Sequence, residues 1–133
     1  MLSSNKISNI FLLALFVLLM GGCTQSDATA LAELSPQQAE NIVKSQNAVI
    51  IDVRTQEEWD AGHIPNAIHI PLSEVKDRLE EFKAYDGRTM VMQCHSGKRS
   101  SAAAHILLDA GFKNVSNLKG GIMAWKAEKL PIE

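Results

Sequence analysis

Cysteine is scarce in this chain of 133 residues, which contains only Cys23 and Cys94. The four histidines are dispersed along the sequence and have no clustered spacing with either cysteine, so the ligand pattern of a metal site is missing. We therefore expect neither a metal nor another cofactor. The chain also lacks an internal repeat, and its length favours one domain.

Aromatic residues and one-sided charge are scarce as well. Aromatics make up 5% of the chain, the net charge is −2, and no basic stripe or block of like charges is present. Proteins that bind nucleic acid usually carry such a stripe, often with interleaved aromatics. Nucleic-acid binding is therefore not expected.

Long apolar runs are missing too, but a short one stands near the start. The first nine residues carry one cation, Lys6, and no acid; the apolar run IFLLALFVLLM (10–20) and then GGC follow. Eleven apolar residues rise about 16 Å as a helix, too little for a hydrocarbon core of about 30 Å. This order of charged, apolar and small residues is typical of a secretion signal, with an uncleaved anchor as the alternative.

The segment LMGGC at the end of this signal resembles the lipobox of bacterial lipoproteins, although Met20 stands where that family prefers Leu. The resemblance implies that residues 1–22 are removed and that Cys23 is lipidated and becomes the first mature residue. Attached lipid would hold the protein on the periplasmic side of a membrane. Since Thr24 and not Asp follows the cysteine, the sorting habit of that family implies the outer membrane in a Gram-negative cell.

Removal of residues 1–22 would leave 12 Lys and Arg against 15 Asp and Glu, a net charge of −3. Residues 23–30 are small and polar and are interpreted as a flexible tether, and residues 31–133 as the folded domain. With lipid on Cys23, Cys94 would be the single thiol, so no internal disulfide is expected.

Two local patterns alternate along residues 31–133. Ser35 and Thr55 each begin a capping box, with Gln38 and Glu58 three residues later. Short β-branched or apolar runs lie between the helical segments, which favours an α/β domain with a mainly parallel sheet. The pattern predicts strands at 48–53, 67–70, 89–93 and 115–118, helices beginning after Ser35, Thr55 and Ser73 and at 101–110, and a last helix carrying Ile122 and Trp125.

The segment CHSGKRS (94–100) lies where the predicted strand 89–93 meets the next helix. Ligands of parallel α/β sheets bind beyond the carboxyl ends of the strands, which places Cys94 at such a position. A thiol attacks only as thiolate, and with an ordinary pKa of about 8.5 it is mostly protonated at neutral pH. The neighbouring residues therefore have to favour the anion if Cys94 reacts.

Several features of this loop favour a negative charge. The helix that begins near Ser100 directs its positive end towards the loop. Gly97 allows the chain to curl so that backbone N–H groups converge on one point. Lys98 and Arg99 add positive charge, and His95 adds more as the pH falls. Two chemistries fit this arrangement: cysteine-dependent phosphate transfer, and transfer of sulfane sulfur through a persulfide.

Three motifs in fixed order carry a resemblance to a known family. They are IDVR…E.W..GHIPNAIHIP (51–71), C..GKRS (94–100) and GG..AW (120–125). With them, the chain from about Leu31 to Glu133 resembles a single-domain rhodanese, a family of sulfurtransferases. The resemblance implies a three-layer sandwich, in which a mainly parallel central sheet carries helices on both faces.

The resemblance also separates the two chemistries. In this superfamily, active loops of six residues are associated with sulfur substrates, and loops one residue longer with phosphate or arsenate. Cys94 to Arg99 is six residues. The resemblance thus implies that Cys94 is the nucleophile and that the rest of the loop binds substrate: His95, which stands where Arg is frequent in the family, with Ser96, Gly97, Lys98 and Arg99.

The implied partners are a small anionic sulfur donor of the thiosulfate type and an acceptor, either cyanide or a thiol. We expect a monomer. A second thiol is missing, so a persulfide on Cys94 could not collapse into an internal disulfide. The alternatives are a non-catalytic binding module of the same fold and a cysteine-dependent arsenate or phosphate enzyme.

The remaining polar and aromatic candidates are interpreted as structural. Asp52 and Arg54 are expected in an ion network with Glu57 or Glu58 nearby, and His63 at a turn. His69 and His105 lie inside predicted elements and are interpreted as structural, and Trp59 and Trp125 are expected to pack in the core.

Overall fold

A computed structural model describes residues 30–133. Its five strands are β1 (Ala32–Leu34), β2 (Ala48–Asp52), β3 (Ile68–His69), β4 (Thr89–Gln93) and β5 (Val115–Leu118). Its α-helices are α1 (Pro36–Lys44), α2 (Gln56–Asp60), α3 (Leu79–Phe82), α4 (Lys98–Asp109) and α5 (Gly121–Ala127), and 3-10 turns lie at Leu72–Glu74 and Lys83–Tyr85.

The strands form one sheet in the order β1-β5-β4-β2-β3, and every neighbouring pair is parallel. Parallel neighbours need crossover connections, which the helices provide. The central strands β2 and β4 are buried almost throughout, as their apolar, β-branched sequences predict. Because the strands are parallel, their carboxyl ends lie at the same edge of the sheet. Cys94 follows β4 at this edge.

Two apolar cores cover the two faces of the sheet. On one face, α4 packs Ala103, Ala104 and Leu107 against side chains of β2 and β4. On the other, α1 and α5 bury Ala39 and Trp125 among the remaining strand side chains. The predicted three-layer α/β arrangement, with helices on both faces of a parallel sheet, is confirmed.

Both predicted capping boxes are present. The Ser35 hydroxyl accepts the Gln38 N–H at 3.2 Å, and the Gln38 side chain accepts the Ser35 N–H at 2.9 Å. Thr55 and Glu58 make the same reciprocal pair at 3.3 and 3.0 Å. These bonds satisfy N–H groups that a helix leaves without partners in its first turn.

The prediction of a helix capped by Ser73 is wrong. Ser73 lies inside a 3-10 turn, its side chain makes no cap bond, and only the four residues of α3 are α-helical. Pro71 before this turn is extended, and the Leu72 N–H donates to Val53 O at 3.0 Å, which ties the segment to the sheet. Val75 and Phe82 are nevertheless fully buried, so the apolar stripe was predicted correctly although the continuous helix was not.

Two further differences concern short elements. β1 was not predicted, because this short edge strand has two exposed residues, Ala32 and Glu33, and so lacks an apolar run. α4 begins at Lys98, three residues before the predicted start at 101, so its first turn is part of the active loop.

The predicted signal 1–22, the lipidation site Cys23 and nearly all of the tether 23–30 lie outside the described residues. Among residues 30–133, the helices are all too short or too polar to cross a membrane.

Candidate active site

Cys94 begins a tight loop between β4 and α4. Gly97 precedes α4 in a left-handed conformation, with φ of 105°, which a residue with a side chain rarely adopts. The first turn of α5 closes the loop from the other side, because Ile122 N–H donates to Cys94 O at 2.8 Å and Met123 N–H donates to His95 O at 3.2 Å. The backbone of the loop is therefore held by two helices.

A glycine makes this close approach of α5 possible. A Cβ atom on Gly121 would collide with the carbonyl oxygens of Cys94 and His95. Gly121 also has φ of 60°. The sequence GG before the last helix thus serves the loop directly.

The Cys94 sulfur faces inward and receives hydrogen-bond donors. Cys94 is 1% exposed, and its Sγ accepts the Gly97 N–H at 3.1 Å and lies 3.3 Å from the Ser100 hydroxyl. Burial raises the pKa of the Cys94 thiol. Hydrogen bonds from the Ser100 hydroxyl and from the amides of Ser100, Gly97 and Ser96 outweigh burial, so the pKa is lowered overall. The predicted convergence of loop amides on this sulfur is present.

Ser100 and two residues behind it were not predicted. The Ser100 hydroxyl donates to Asn117 Oδ1 at 2.6 Å. Asn117 Nδ2 in turn donates to Gly97 O at 3.1 Å and to the Glu33 carboxylate at 3.1 and 3.3 Å. One sign of this group can be read from the sequence: the predicted strand 115–118 contains two polar residues, Ser116 and Asn117. Nothing in the spacing connects Asn117 to the loop.

The two loop cations have different surroundings. Arg99 makes a two-pronged ion pair with Glu58 of α2, at 2.7 and 2.8 Å. Hydrogen bonding to Arg99 lowers the pKa of Glu58 to about 2, so the pair stays charged at neutral pH. Lys98 is exposed and has no ion-pair partner among residues 30–133. Lys98 is therefore free to meet an arriving anion, whereas the charge of Arg99 is balanced.

Three residues of the loop are exposed and form its outer rim: His95, Ser96 and Lys98. Met123 on α5 is the one large apolar residue that is mostly exposed within residues 30–133, and its backbone N–H donates to the rim at His95 O. The entrance to the sulfur is thus cationic with one apolar neighbour.

The residues interpreted as structural mostly behave so. Asp52 and Arg54 form a buried two-pronged pair, with the shortest contact at 2.7 Å, and Arg54 also donates to Gly62 O. His69 Nε2 lies 2.8 Å from Arg54 O. Glu58 pairs with Arg99 instead of joining the Asp52–Arg54 pair, and no ion pair of Glu57 occurs among the described residues.

The tryptophans and the remaining histidines differ in how far they are buried. The indole of Trp59 is half-buried and stacks on the rings of His63 and His69, with centroid distances of 3.6 and 4.8 Å. His63 Nδ1 lies 3.1 Å from Trp59 O, consistent with a turn residue. His105 lies within α4, as predicted, and is exposed. Trp125 is buried as expected.

No cluster of His, Cys, Asp or Glu able to hold a metal occurs among residues 30–133. The surface grooves near Phe112 and near Pro65 lie elsewhere on the molecule, and Cys94 lines neither of them. The candidate site is therefore the loop from Cys94 to Arg99 itself. Its arrangement can hold a negatively charged sulfur, or a small anion bonded to that sulfur, by backbone and hydroxyl donors.

Comparisons with known proteins give a consistent family. The model of the rhodanese-like domain matches residues 35–128. YrkF of Bacillus subtilis, whose name marks it as a candidate sulfur carrier, is 37% identical over 106 residues; the match covers 79% of this chain and just over half, 56%, of that protein. Thiosulfate sulfurtransferase GlpE of Coxiella burnetii is 35% identical over 95 residues, which cover 71% of this chain and 87% of that protein.

A solved structure agrees with these relatives. The crystal structure of a rhodanese-related protein from Thermoplasma volcanium superposes with a TM-score of 0.70 at 27% identity, and covers 77% of this chain and 97% of that one. The order of strands and helices described above therefore has a counterpart in that solved structure.

Proposed function

The chain belongs to the rhodanese-like domain family, and from this premise we propose that it is a sulfurtransferase that carries sulfane sulfur as a persulfide on Cys94. The donor is a small anion of the thiosulfate type, and the acceptor is a thiol or cyanide. The relatives named as a sulfurtransferase and a candidate sulfur carrier support this class of activity.

The proposed reaction has two steps. The Cys94 thiolate attacks the outer sulfur of thiosulfate, a new S–S bond forms, and the bond to the sulfonate sulfur breaks with its electron pair to release sulfite. In the second step, the acceptor attacks the outer sulfur of the persulfide, and the S–S electron pair returns to Cys94 as thiolate. No oxidant, reductant or cofactor enters either step.

The observation that carries the proposal is the set of donors on Cys94. The sulfur receives the Gly97 N–H at 3.1 Å, and the amides of Ser96 and Ser100 also favour its anion. Donors that are fixed before the reaction stabilise developing charge without reorganising, as in an oxyanion hole. A persulfide anion extends the charge by one sulfur towards the rim of His95, Ser96 and Lys98.

The direct test is the formation of thiocyanate from thiosulfate and cyanide by the purified protein. The wild type should turn over and Cys94→Ser should not, because a serine hydroxyl cannot hold sulfane sulfur. Equal rates for the two proteins would refute the role of Cys94. A wild type without turnover but with an intact fold would favour a non-catalytic binding module.

We also propose that the protein acts outside the cytoplasmic membrane, held there by lipid on Cys23. The support comes from the sequence of residues 1–23, with its single cation, its apolar run and the terminal LMGGC. Cys94 is the one cysteine of residues 30–133, so an oxidising compartment could not form a disulfide within this part of the chain.

A further inference from the structure

Four side chains form a continuous hydrogen-bonded chain from the exposed edge of the sheet to the reactive sulfur. They are Glu33 on β1, Asn117 on β5, Ser100 on α4 and Cys94. The successive contacts are 3.1 Å, 2.6 Å and 3.3 Å. Ser100 is fully buried and Asn117 is 3% exposed, so the two inner members exchange hydrogen bonds with each other and not with bulk water.

The orientation of the Asn117 amide is fixed by what its two ends face. One end lies against Gly97 O at 3.1 Å and the Glu33 carboxylate at 3.1 Å, both of which only accept hydrogen bonds. This end must therefore be the NH₂ group. The amide oxygen then faces Ser100, and it too can only accept.

The Ser100 hydroxyl has a single hydrogen and two candidate acceptors. Since Asn117 Oδ1 lies 2.6 Å away and cannot donate, the hydrogen lies on that contact. While Cys94 is a neutral thiol, Ser100 consequently presents a lone pair to its sulfur at 3.3 Å, and it donates to the sulfur only after the hydrogen leaves Asn117 Oδ1. A lone pair suits a neutral thiol, whose S–H can donate to it, and opposes a thiolate.

We propose that Asn117 is a positioning residue that holds the Ser100 hydroxyl hydrogen away from Cys94 while the sulfur is a neutral thiol, and releases it to the sulfur when the sulfur becomes an anion. Once the thiol proton has left to solvent, the hydroxyl rotates from Asn117 Oδ1 to Sγ. This inference concerns only the thiol and the thiolate of Cys94, so it goes beyond the proposed function and does not rest on it.

The test is the pH dependence of Cys94 alkylation by iodoacetamide in the full chain, read at the Cys94 peptide by mass spectrometry. Asn117→Val keeps a strand-favouring side chain but removes the competing acceptor. Gly97 O keeps its bond from Ser101 N–H, so this variant leaves that carbonyl paired. The alkylation midpoint should fall by about 0.5 to 1 pH unit, the equivalent of one neutral hydrogen bond.

A double-mutant cycle identifies the route of the effect. In a Ser100→Ala background, Asn117→Val should leave the midpoint unchanged, because no hydroxyl hydrogen remains to be released. The same downward shift in both backgrounds would overturn the proposal, since Asn117 would then act through charge or packing. A folded Asn117→Val protein with the wild-type midpoint would overturn it as well.

A second variant keeps the test available if Asn117→Val does not fold, as judged by far-UV circular dichroism. Glu33→Ala changes an exposed side chain on the edge strand and loosens the amide of Asn117. Its shift should be downward and should shrink when Ser100 is also replaced by Ala; a shift of equal size in both backgrounds overturns the proposal. Alkylation needs no sulfur transfer, so failure of the thiocyanate assay leaves this result independent.

Discussion

At the scale of single residues, the two arginines of the site illustrate how charge is distributed around Cys94. Arg54 is almost completely buried and bound to Asp52, so it supports the fold. Arg99, the last residue of the loop, is partly exposed, but the Glu58 carboxylate balances its charge. Lys98 is left as the loop cation without an ion-pair partner within residues 30–133. The positive electrostatic potential near Cys94 therefore depends on Glu58, which neutralises Arg99, as well as on Lys98.

Glu58→Gln should strengthen the binding of an anionic donor. The amide keeps an oxygen that can cap α2 at Thr55 N–H, but it no longer neutralises Arg99. We expect KM for thiosulfate to fall about two- to five-fold with little change in kcat, and the effect to weaken as salt screens the freed charge. Steady-state kinetics at low and high ionic strength measure this.

Glu57→Gln is the matched control for that variant. Glu57 is the neighbouring exposed carboxylate on the same helix, and it makes no ion pair among the described residues. The Glu57→Gln substitution removes the same formal charge and leaves the Arg99–Glu58 pair intact. Equal changes of KM in the two variants would contradict the role given to the Arg99–Glu58 pair.

At the scale of secondary-structure elements, the loop depends on the first turn of α5. Two N–H groups of this turn hold the carbonyls of Cys94 and His95. The contact requires the backbone of Gly121 to lie directly against them, without a Cβ atom between. α5 therefore fixes the direction of the loop amides, although it contributes no donor to the sulfur itself.

Gly121→Ala should destabilise the protein and also displace the loop. The left-handed conformation costs an alanine about 1 to 2 kcal/mol, and the collision with backbone oxygens adds to this. We expect a loss of about 3 kcal/mol or more in the free energy of unfolding, measured by urea titration, and a drop of at least ten-fold in thiocyanate formation.

Gly111→Ala separates the two costs. Gly111 also has a positive φ, of 98°, but a Cβ atom there would meet nothing within 4 Å. Gly111→Ala should therefore reduce the free energy of unfolding only by the conformational cost, and it should keep its activity. If Gly121→Ala were no more harmful than Gly111→Ala, the close approach of α5 would not matter to the loop.

The elements that could be predicted from sequence are those with a local cause. The capping boxes at Ser35 and Thr55 and the buried strands β2, β4 and β5 follow from neighbouring residues, and all are present. The segment after Ser73 was predicted as one helix from the spacing of its apolar residues. The bond from Leu72 N–H to Val53 O is a contact between distant parts of the chain, which periodicity does not reveal.

At the scale of the whole molecule, the same distinction applies to the site. The six loop residues are contiguous, so the sequence alone placed them together. Glu58 and Asn117 reach the loop from 41 and 17 positions away from their partners Arg99 and Ser100. Only the parallel sheet, which gathers the carboxyl ends of its strands at one edge, brings them there. Their roles therefore could not be predicted before the fold was known.

The location proposed for the molecule predicts a labelling result. Full-length protein expressed in a bacterium with radioactive palmitate should carry the label, because Cys23 follows an apolar run and LMGG. Cys23→Ala should lose the label and leave the membrane fraction. Cys94→Ala serves as the matched cysteine control and should keep both; a labelled, membrane-bound Cys23→Ala protein would contradict the lipid anchor.

The central claim is that Cys94 carries a transferable sulfur, and intact-mass spectrometry after incubation with thiosulfate tests it most directly. We predict one added sulfur, about 32 Da, on the wild-type protein, its loss after treatment with cyanide, and no addition to Cys94→Ser. An unchanged wild-type mass, or an adduct with phosphate or arsenate in place of sulfur, would contradict the account.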